Sequence, residues 1–477
     1  MTASDFIALL PILVLTGSIL AVLLGITIYR CHKITAGLSA LGLLLSLAVI
    51  PLAQTVEPGV VTPLLLIDGY GWLFSAIFLV SSLLVTFLCY GYYEGSDRPY
   101  EEIYLLILIA TLGSIILAVS NHFISLFLGL ETLTVSLYVL IAYQRDQYQS
   151  IEAGIKYLVL AATASAILLF GMAMVYARVG SMELPIVAET LMQGSASPDL
   201  FLLVGLGLLI VGAGFKLALV PFHMWTPDIY QAASPPVTAF VATVSKGGML
   251  ALLLRYLVPV DVATMPTLAA GISVLAIFSM FVGNLLALMQ NNVVRILAYS
   301  SIAHFGYIIT AVLASGELAL QAGAYYLTAY FATTITGFGL IGMMQRPDSG
   351  SYTVDDWRGL FWHKPGYAAA FTVVMLSLAG IPLTGGFIGK FYVVAAGIDS
   401  QLWGMILALI LSSTIGLYYY LRLVMVMTMQ SDKPASPIHM AALPCVAVTV
   451  ASVAILALGI LPAPFLGVID RMLTTMV

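Results

Sequence analysis

Residues 200–228 read LFLLVGLGLLIVGAGFKLALVPFHMWTPD. Apolar residues run without a charge as far as Lys216, and Pro221, His223 and Asp228 follow closely. A run this long and apolar predicts a helix that crosses a bilayer. The charge near its end and the proline after it add a condition. Proline interrupts the helical hydrogen-bond ladder, and inside a membrane such backbone is tolerated only where protein or water satisfies it. The stretch therefore reads as a broken membrane helix turned toward protein.

The rest of the chain has the same character. Of 477 residues, 61% are hydrophobic and 8% charged, with a mean hydropathy of +1.07. A soluble domain lacks the polar cover to hide so much apolar surface, so lipid is the solvent that fits. With spans of about 20 residues, apolar runs fall at 6–29, 34–53, 70–92, 102–119, 121–143, 151–178, 200–221, 235–258, 266–290, 293–314, 318–344, 366–396, 401–429 and 439–461. This predicts an all-α integral membrane protein of about fourteen transmembrane helices in one polytopic domain, 1–477. Residues 462–477 read as a short interfacial helix. The N-terminus has no positive leader and no small-residue cleavage site, so Phe6 to Tyr29 is expected to be a retained first span. Turn cues stand at 95–99 and 346–350.

Loop cations orient the bundle. On one side fall Arg30, Lys33, Arg98, Arg145, Arg295, Arg346, Arg358, Lys364, Arg422 and Lys433; the side of the termini holds Arg178, Arg255 and Arg471. Both termini are thus expected to face away from the cytoplasm. Four of the seventeen basic residues remain, and all fall inside spans: Lys156, Lys216, Lys246 and Lys390. Glu131 lies on the order of 15 Å into its span at 1.5 Å per residue, and Lys246 is at similar depth.

A charge near mid-bilayer costs at least a few kcal/mol, so it is paired, hydrated or functional. Snorkelling to an interface would explain Lys216 or Lys390 singly. Glu152 and Lys156 are spaced i, i+4 and read equally as a surface ion pair or as part of a conduction path. Taken together, these groups point to protons. Moving one charge across roughly 150 mV costs about 3.5 kcal/mol. A lysine alternating between a carboxylate-paired and a desolvated, unpaired state spans that range; Lys216 and Lys246 are the candidates, with Glu131 as partner.

A second break, Ala379-Gly380-Ile381-Pro382-Leu383-Thr384-Gly385-Gly386, precedes Lys390. Breaks in spans 7 and 12 are the fourth members of spans 4–8 and 9–13, the pattern of two inverted five-helix repeats. The chain then divides into 1–100, 101–260, 261–430 and 431–477. His122, His223 and His304 could be ligands, relays or satisfied core residues; for His304, among polar neighbours, a relay is preferred because imidazole titrates near neutrality. His32, His363 and His439 read as loop or interface residues. Cys31, Cys89 and Cys445 are scattered, which argues against an iron–sulfur or zinc site. No basic patch suits nucleic acid.

The stretch Leu219 to Asp228, continuing through Ser234-Pro235-Pro236-Val237-Thr238-Ala239-Phe240 to Ser245-Lys246, resembles the antiporter-like membrane subunits of respiratory complex I. Asn284 to Asn292, Arg295 to His304, and Gly380 to Tyr392 are similar to the subunits called N within that family. The resemblance covers nearly the whole chain. It implies a proton-translocating membrane-arm subunit of NADH:quinone oxidoreductase without a cofactor of its own, with NAD, FMN and iron–sulfur clusters in partner subunits and quinone as the complex's substrate. It implies as partners the other membrane-arm subunits, including antiporter-like paralogues, and the lipid of a bacterial inner membrane, with both termini periplasmic. By the same resemblance Glu131 pairs with Lys216, Lys246 is the central lysine, His304 lies in the relay between half-channels and Lys390 is nearest the outer exit. Glu152 and Lys156 match polar sixth-helix positions. A subunit of a multi-subunit sodium/proton antiporter, a non-conducting scaffold and a quinone- or haem-binding subunit are the other readings. Replacing Glu131 by Gln is expected to reduce proton movement strongly without unfolding the protein; unchanged movement in a vesicle assay would count heavily against the path.

Overall fold

The computed structural model describes residues 2–95, 100–193, 199–262, 265–344, 352–430 and 441–476. The turn cues at 96–99 and 346–350, the cations Arg98, Arg346 and Lys433, and His439 lie outside these residues. The chain opens with α1 (Ala3–Ala8), α2 (Leu10–Ile28), α3 (His32–Ala48) and α4 (Ile50–Ala53). A short antiparallel hairpin, β1 (Gly59–Thr62) and β2 (Leu65–Ile67), leads into α5 (Gly69–Tyr93). Then come α6 (Glu102–Ala118), α7 (Phe123–Ile141), α8 (Tyr148–Val179), α9 (Leu184–Gln193), α10 (Leu200–Leu217), α11 (Trp225–Ala232), α12 (Pro235–Ala242) and α13 (Val244–Val260). The second half holds α14 (Pro266–Leu288), α15 (Val293–Leu313), α16 (Glu317–Met343), α17 (Leu360–His363), α18 (Pro365–Ala379), α19 (Gly385–Asp399), α20 (Trp403–Thr428), α21 (Ala442–Ile460) and the terminal α22 (Pro462–Leu473).

Eleven helical segments among the described residues are long and apolar enough to cross a membrane. Large apolar side chains face outward on α2 (Leu20, Leu24) and α8 (Leu169, Phe170), while Lys216, Lys246, His304 and Lys390 are buried. That inversion of the soluble pattern is what a hydrocarbon solvent selects. The central members, α12 to α13 and α15, are buried along almost their whole length.

Contacts repeat between the halves. Helix α6 packs on α7 and α13, and α14 packs on α15 and α20; α8 packs on α10, and α16 on α19. Small residues allow the tightest crossings: a side chain at Gly113 of α6 would strike the backbone of α7 at Gly129, 2.7 Å away. The turns repeat too. Phe123 N donates to Met182 O and Leu184 N to Asn121 O, and correspondingly Val293 N donates to Tyr352 O and Val354 N to Asn291 O. His122 and Asn292 cap the helices that follow, each accepting a backbone N–H in the first turn.

One cation departs from its expected place. Arg255 is not in a loop but inside α13 at 2% exposure, with Asp68 at 0%. Its guanidinium grips that carboxylate through two bonds of 2.8 and 2.7 Å, donates to Ala118 O at 3.1 Å and lies 4.5 Å from the Tyr70 ring. Asp68 also caps α5 through Gly71 N at 2.8 Å. The hydropathy pattern hid the pair because Asp68 precedes its helix by one residue and Arg255 stands near a helix end. Arg255→Leu would leave that carboxylate buried without its guanidinium, at a cost of about 3–5 kcal/mol. The expected outcome is a lower melting temperature in detergent, partly recovered when Asp68→Leu is added.

Candidate functional site

Two helix breaks build the site. At the first, α10 ends on Leu217 and Ala218 turns left-handed at φ 61°. Leu219 N then donates back to Gly214 O at 2.8 Å, and Trp225 Nε1 donates to Phe215 O at 3.1 Å. Carbonyls freed by the break are therefore met by protein. Lys216 sits in the last turn, 3% exposed, where a half-helix presents its negative end. Its ammonium donates to Thr134 Oγ1 at 3.1 Å and Tyr157 OH at 3.2 Å. Glu131 is half-buried on α7 and accepts from Ser165 Oγ on α8 at 2.5 Å. The direct ion pair that the resemblance implies is absent among the described residues: Glu131 acts on Lys216 as a nearby charge, and Thr134, three residues along α7, holds the ammonium.

At the second break α18 ends on Ala379, with Gly380 at φ 81° and Ile381 N donating back to Leu376 O at 2.9 Å. Lys390, 8% exposed in α19, donates to Leu378 O at 2.9 Å and Ala379 O at 3.1 Å, so its ammonium covers the exposed end of α18. Glycine is required at 380 twice over: the left-handed backbone favours it, and a Cβ would lie 2.9 Å from Lys390 Cδ. A further bond, to Ser413 Oγ at 2.8 Å, aims Lys390 at α20.

Between the breaks lies Lys246, fully buried in the first turn of α13. A third interruption precedes it at Thr243 (φ −113°, ψ −89°), which the reading of spans did not foresee. Its Nζ donates to Ser301 Oγ at 2.9 Å and lies 4.8 Å from the Phe305 ring centre, 5.5 Å from Tyr230 and 5.8 Å from Trp225. Ser301 also receives Tyr330 OH at 2.8 Å. Toward Lys216 the way is aromatic, since Trp225 packs 5.1 Å from Tyr157. Toward Lys390 it is polar. His304 meets Tyr326 OH at 2.7 Å through Nδ1 and Tyr420 OH at 3.2 Å through Nε2, and Tyr420 OH bonds Ser300 Oγ. Tyr307 packs 5.3 Å from His304 and 5.2 Å below Lys390 Nζ.

Lys216, Lys246, His304 and Lys390 thus share one buried interior. Glu152 and Lys156 do not: they form a 2.7 Å pair with side chains 41% and 51% exposed, and Lys156 also lies 3.9 Å from Asp228, itself 3.0 Å from Arg295. His122 is a helix cap; His223 is buried, and among the described residues its Nδ1 meets no hydrogen-bond partner. His32 meets Tyr90 O and Tyr104 OH. Charge-based reading missed the hydroxyl lining of Tyr157, Tyr326, Tyr330 and Tyr420 with Ser300 and Ser301. The available signal was the tyrosine density of spans that lipid would rather fill with leucine. Among the described residues no three His, Cys, Asp or Glu side chains cluster as a metal site would need.

Residues 120–416 match the family model described as NADH:quinone oxidoreductase/Mrp antiporter, TM. The chain is 43% identical over 471 residues to NADH-quinone oxidoreductase subunit N of Methylococcus capsulatus, covering 98% of this chain and 95% of that one. It is 47% identical over 441 residues to the subunit of the same name from Ectopseudomonas mendocina, covering 90% and 88%. A chain in the structure of respiratory complex I from Thermus thermophilus with bound aureothin superposes with a TM-score of 0.82 at 33% identity, covering 96% of this chain and 98% of that one. Ser301→Ala should leave the Lys246 amine without the hydrogen-bond partner described above, at about 1–3 kcal/mol. A drop in melting temperature in detergent, absent for Ser315→Ala as a control, checks this.

Proposed function

The chain belongs to the family of NADH:quinone oxidoreductase and Mrp antiporter membrane subunits, and on that premise we propose that it is an N-type, proton-translocating membrane-arm subunit of an NADH:quinone oxidoreductase. It holds no redox centre of its own: the electron-carrying cofactors belong to other subunits, and its partners are the remaining membrane-arm subunits and the bilayer. The single observation that carries the reading is the polar interior from Lys246 through Ser301, His304 and Tyr420 to Lys390, buried in a bundle whose outer faces are apolar.

The reading extends to the whole architecture. Three further helical segments, α6, α16 and α18 with α19, join the eleven long apolar ones to make fourteen spans in one polytopic domain, 1–477. Repeats at 101–260 and 261–430 follow 1–100 and precede 431–477. Five spans per repeat is an odd number, so the second repeat starts on the opposite membrane face from the first; the matched turns at 121–123 and 291–293 support that inversion. With Arg255 removed from the loop count, the cation bias favours termini on the periplasmic face of a bacterial inner membrane even more strongly. Glu131 and Lys216 form the input end, Lys246 and His304 the middle, and Lys390 the output end; Glu152 and Lys156 lie at the surface near Asp228, outside the buried interior.

The sodium/proton antiporter alternative shares this fold, but the identity to N subunits over nearly the full chain favours the redox-driven complex. A scaffold role makes a different forecast, since Lys246→Ala would then disturb assembly and spare transfer. In inverted membrane vesicles, Lys246→Ala is expected to assemble normally and to lose proton transfer on the order of 10²-fold, the magnitude of a positioned acid–base group. Wild-type acidification by the assembled variant would overturn the proposal.

A further inference from the structure

Asn284 of α14 is 1% exposed and carries no charge, yet it stands between the hydroxyls that serve His304 and those that serve Lys390. Its Nδ2 donates to Tyr307 OH at 2.7 Å and to Met280 O at 2.7 Å; its Oδ1 accepts from Tyr419 OH at 2.9 Å. A backbone carbonyl only accepts, so the bond to Met280 O fixes which end of the amide is the donor. Tyr307 lies one turn beyond His304, and its ring lies 5.2 Å from Lys390 Nζ, which is bonded to Ser413 Oγ. The Tyr419 ring lies tilted 4.3 Å from that of Tyr420, whose hydroxyl meets His304. Helix α20 comes close here with bare backbone: a Cβ on Gly416 would sit 2.8 Å from Asn284 Oδ1.

The two tyrosines are therefore held in opposite senses. Tyr307 receives a hydrogen from Asn284, which leaves its own O–H free to donate on the side of Lys390. Tyr419 gives its hydrogen to Asn284, which leaves its own oxygen only to accept beside the Tyr420 ring. We propose that Asn284 is a positioning residue of the translocation path, setting the donor direction of the hydroxyls on either side of the step between His304 and Lys390. An amide cannot titrate, so this direction persists while the lysine and histidine exchange protons. The inference rests on the proton-path reading above.

The test uses the intact complex in proteoliposomes, measuring NADH-driven quinone reduction and acidification across pH, with assembly checked by native electrophoresis. Asn284→Leu is expected to lower coupled turnover toward 10²-fold, as misplacement in a reacting geometry does. Asn284→Asp should work in part while its carboxyl is neutral, because that form keeps one donor for Tyr307 and an acceptor for Tyr419 although it loses the second donor to Met280 O, and should fail as rising pH removes the remaining donor. Gly416→Ala, which pushes on Oδ1 and keeps the amide, should give a weaker loss, and it and the Asp variant carry the test if the Leu variant does not assemble. Wild-type turnover in assembled Asn284→Leu, or equal losses for Leu and Asp at every pH, would overturn the inference. Lys246→Ala serves as the control. If it too leaves acidification intact, the proton path itself falls; if it abolishes acidification while the Asn284 and Gly416 variants behave as wild type, only the role of Asn284 falls.

Discussion

Backbone carbonyls released at a helix break have no water to turn to inside hydrocarbon, and much of this structure follows from that constraint. At α10 the freed groups are answered by Leu219 N and Trp225 Nε1, and at α18 by Ile381 N and the Lys390 ammonium. A lysine at a half-helix C-terminus gains the negative end of the helix dipole as a partner that is never itself neutralised. Such a site can hold a cation without forming a tight ion pair, and so without trapping it. Lys216 shows the same economy: its ammonium rests on two hydroxyls, and the Glu131 carboxylate acts from farther off.

The contrast with Asp68 and Arg255 is instructive. There a guanidinium and a carboxylate meet through two bonds at almost no exposure, and the carboxylate caps a helix besides. Arginine keeps its proton in proteins, so such a pair can anchor but not carry. The pair ties α13 to the segment entering α5, nine residues beyond Lys246 on the same helix. The arginine–carboxylate anchor and the buried lysines are thus separated by side-chain chemistry as well as by place.

Hydroxyls line the buried interior around Lys246 and His304. Ser301 joins Lys246 to Tyr330, and Tyr420 joins His304 to Ser300, each able to donate and to accept. Tyrosine suits this position in an apolar bundle because its ring supplies apolar packing while one atom stays polar. The aromatic wall of Tyr157 and Trp225 between Lys216 and Lys246 shows the other use of the same ring.

Hydrophobic run length, the proline and glycine of the two breaks and the stray lysines lay open in the sequence, because lipid tolerates few exceptions to apolar character and each exception announces itself. The positions of Lys216, Lys246, His304 and Lys390 along their spans needed nothing more. What pairs with what did not follow from spacing. The sequence alone carried no sign that Glu131 meets Ser165, that Arg255 is a core residue rather than a loop cation, or that Thr243 interrupts the helix before Lys246. Those facts depend on which helix faces lie together, and neutral serines, tyrosines and asparagines cost too little in a hydropathy sum to reveal themselves. Only the tertiary packing, by bringing α14, α16 and α20 against α15 at His304, decided which of them lie beside the buried histidine and lysines.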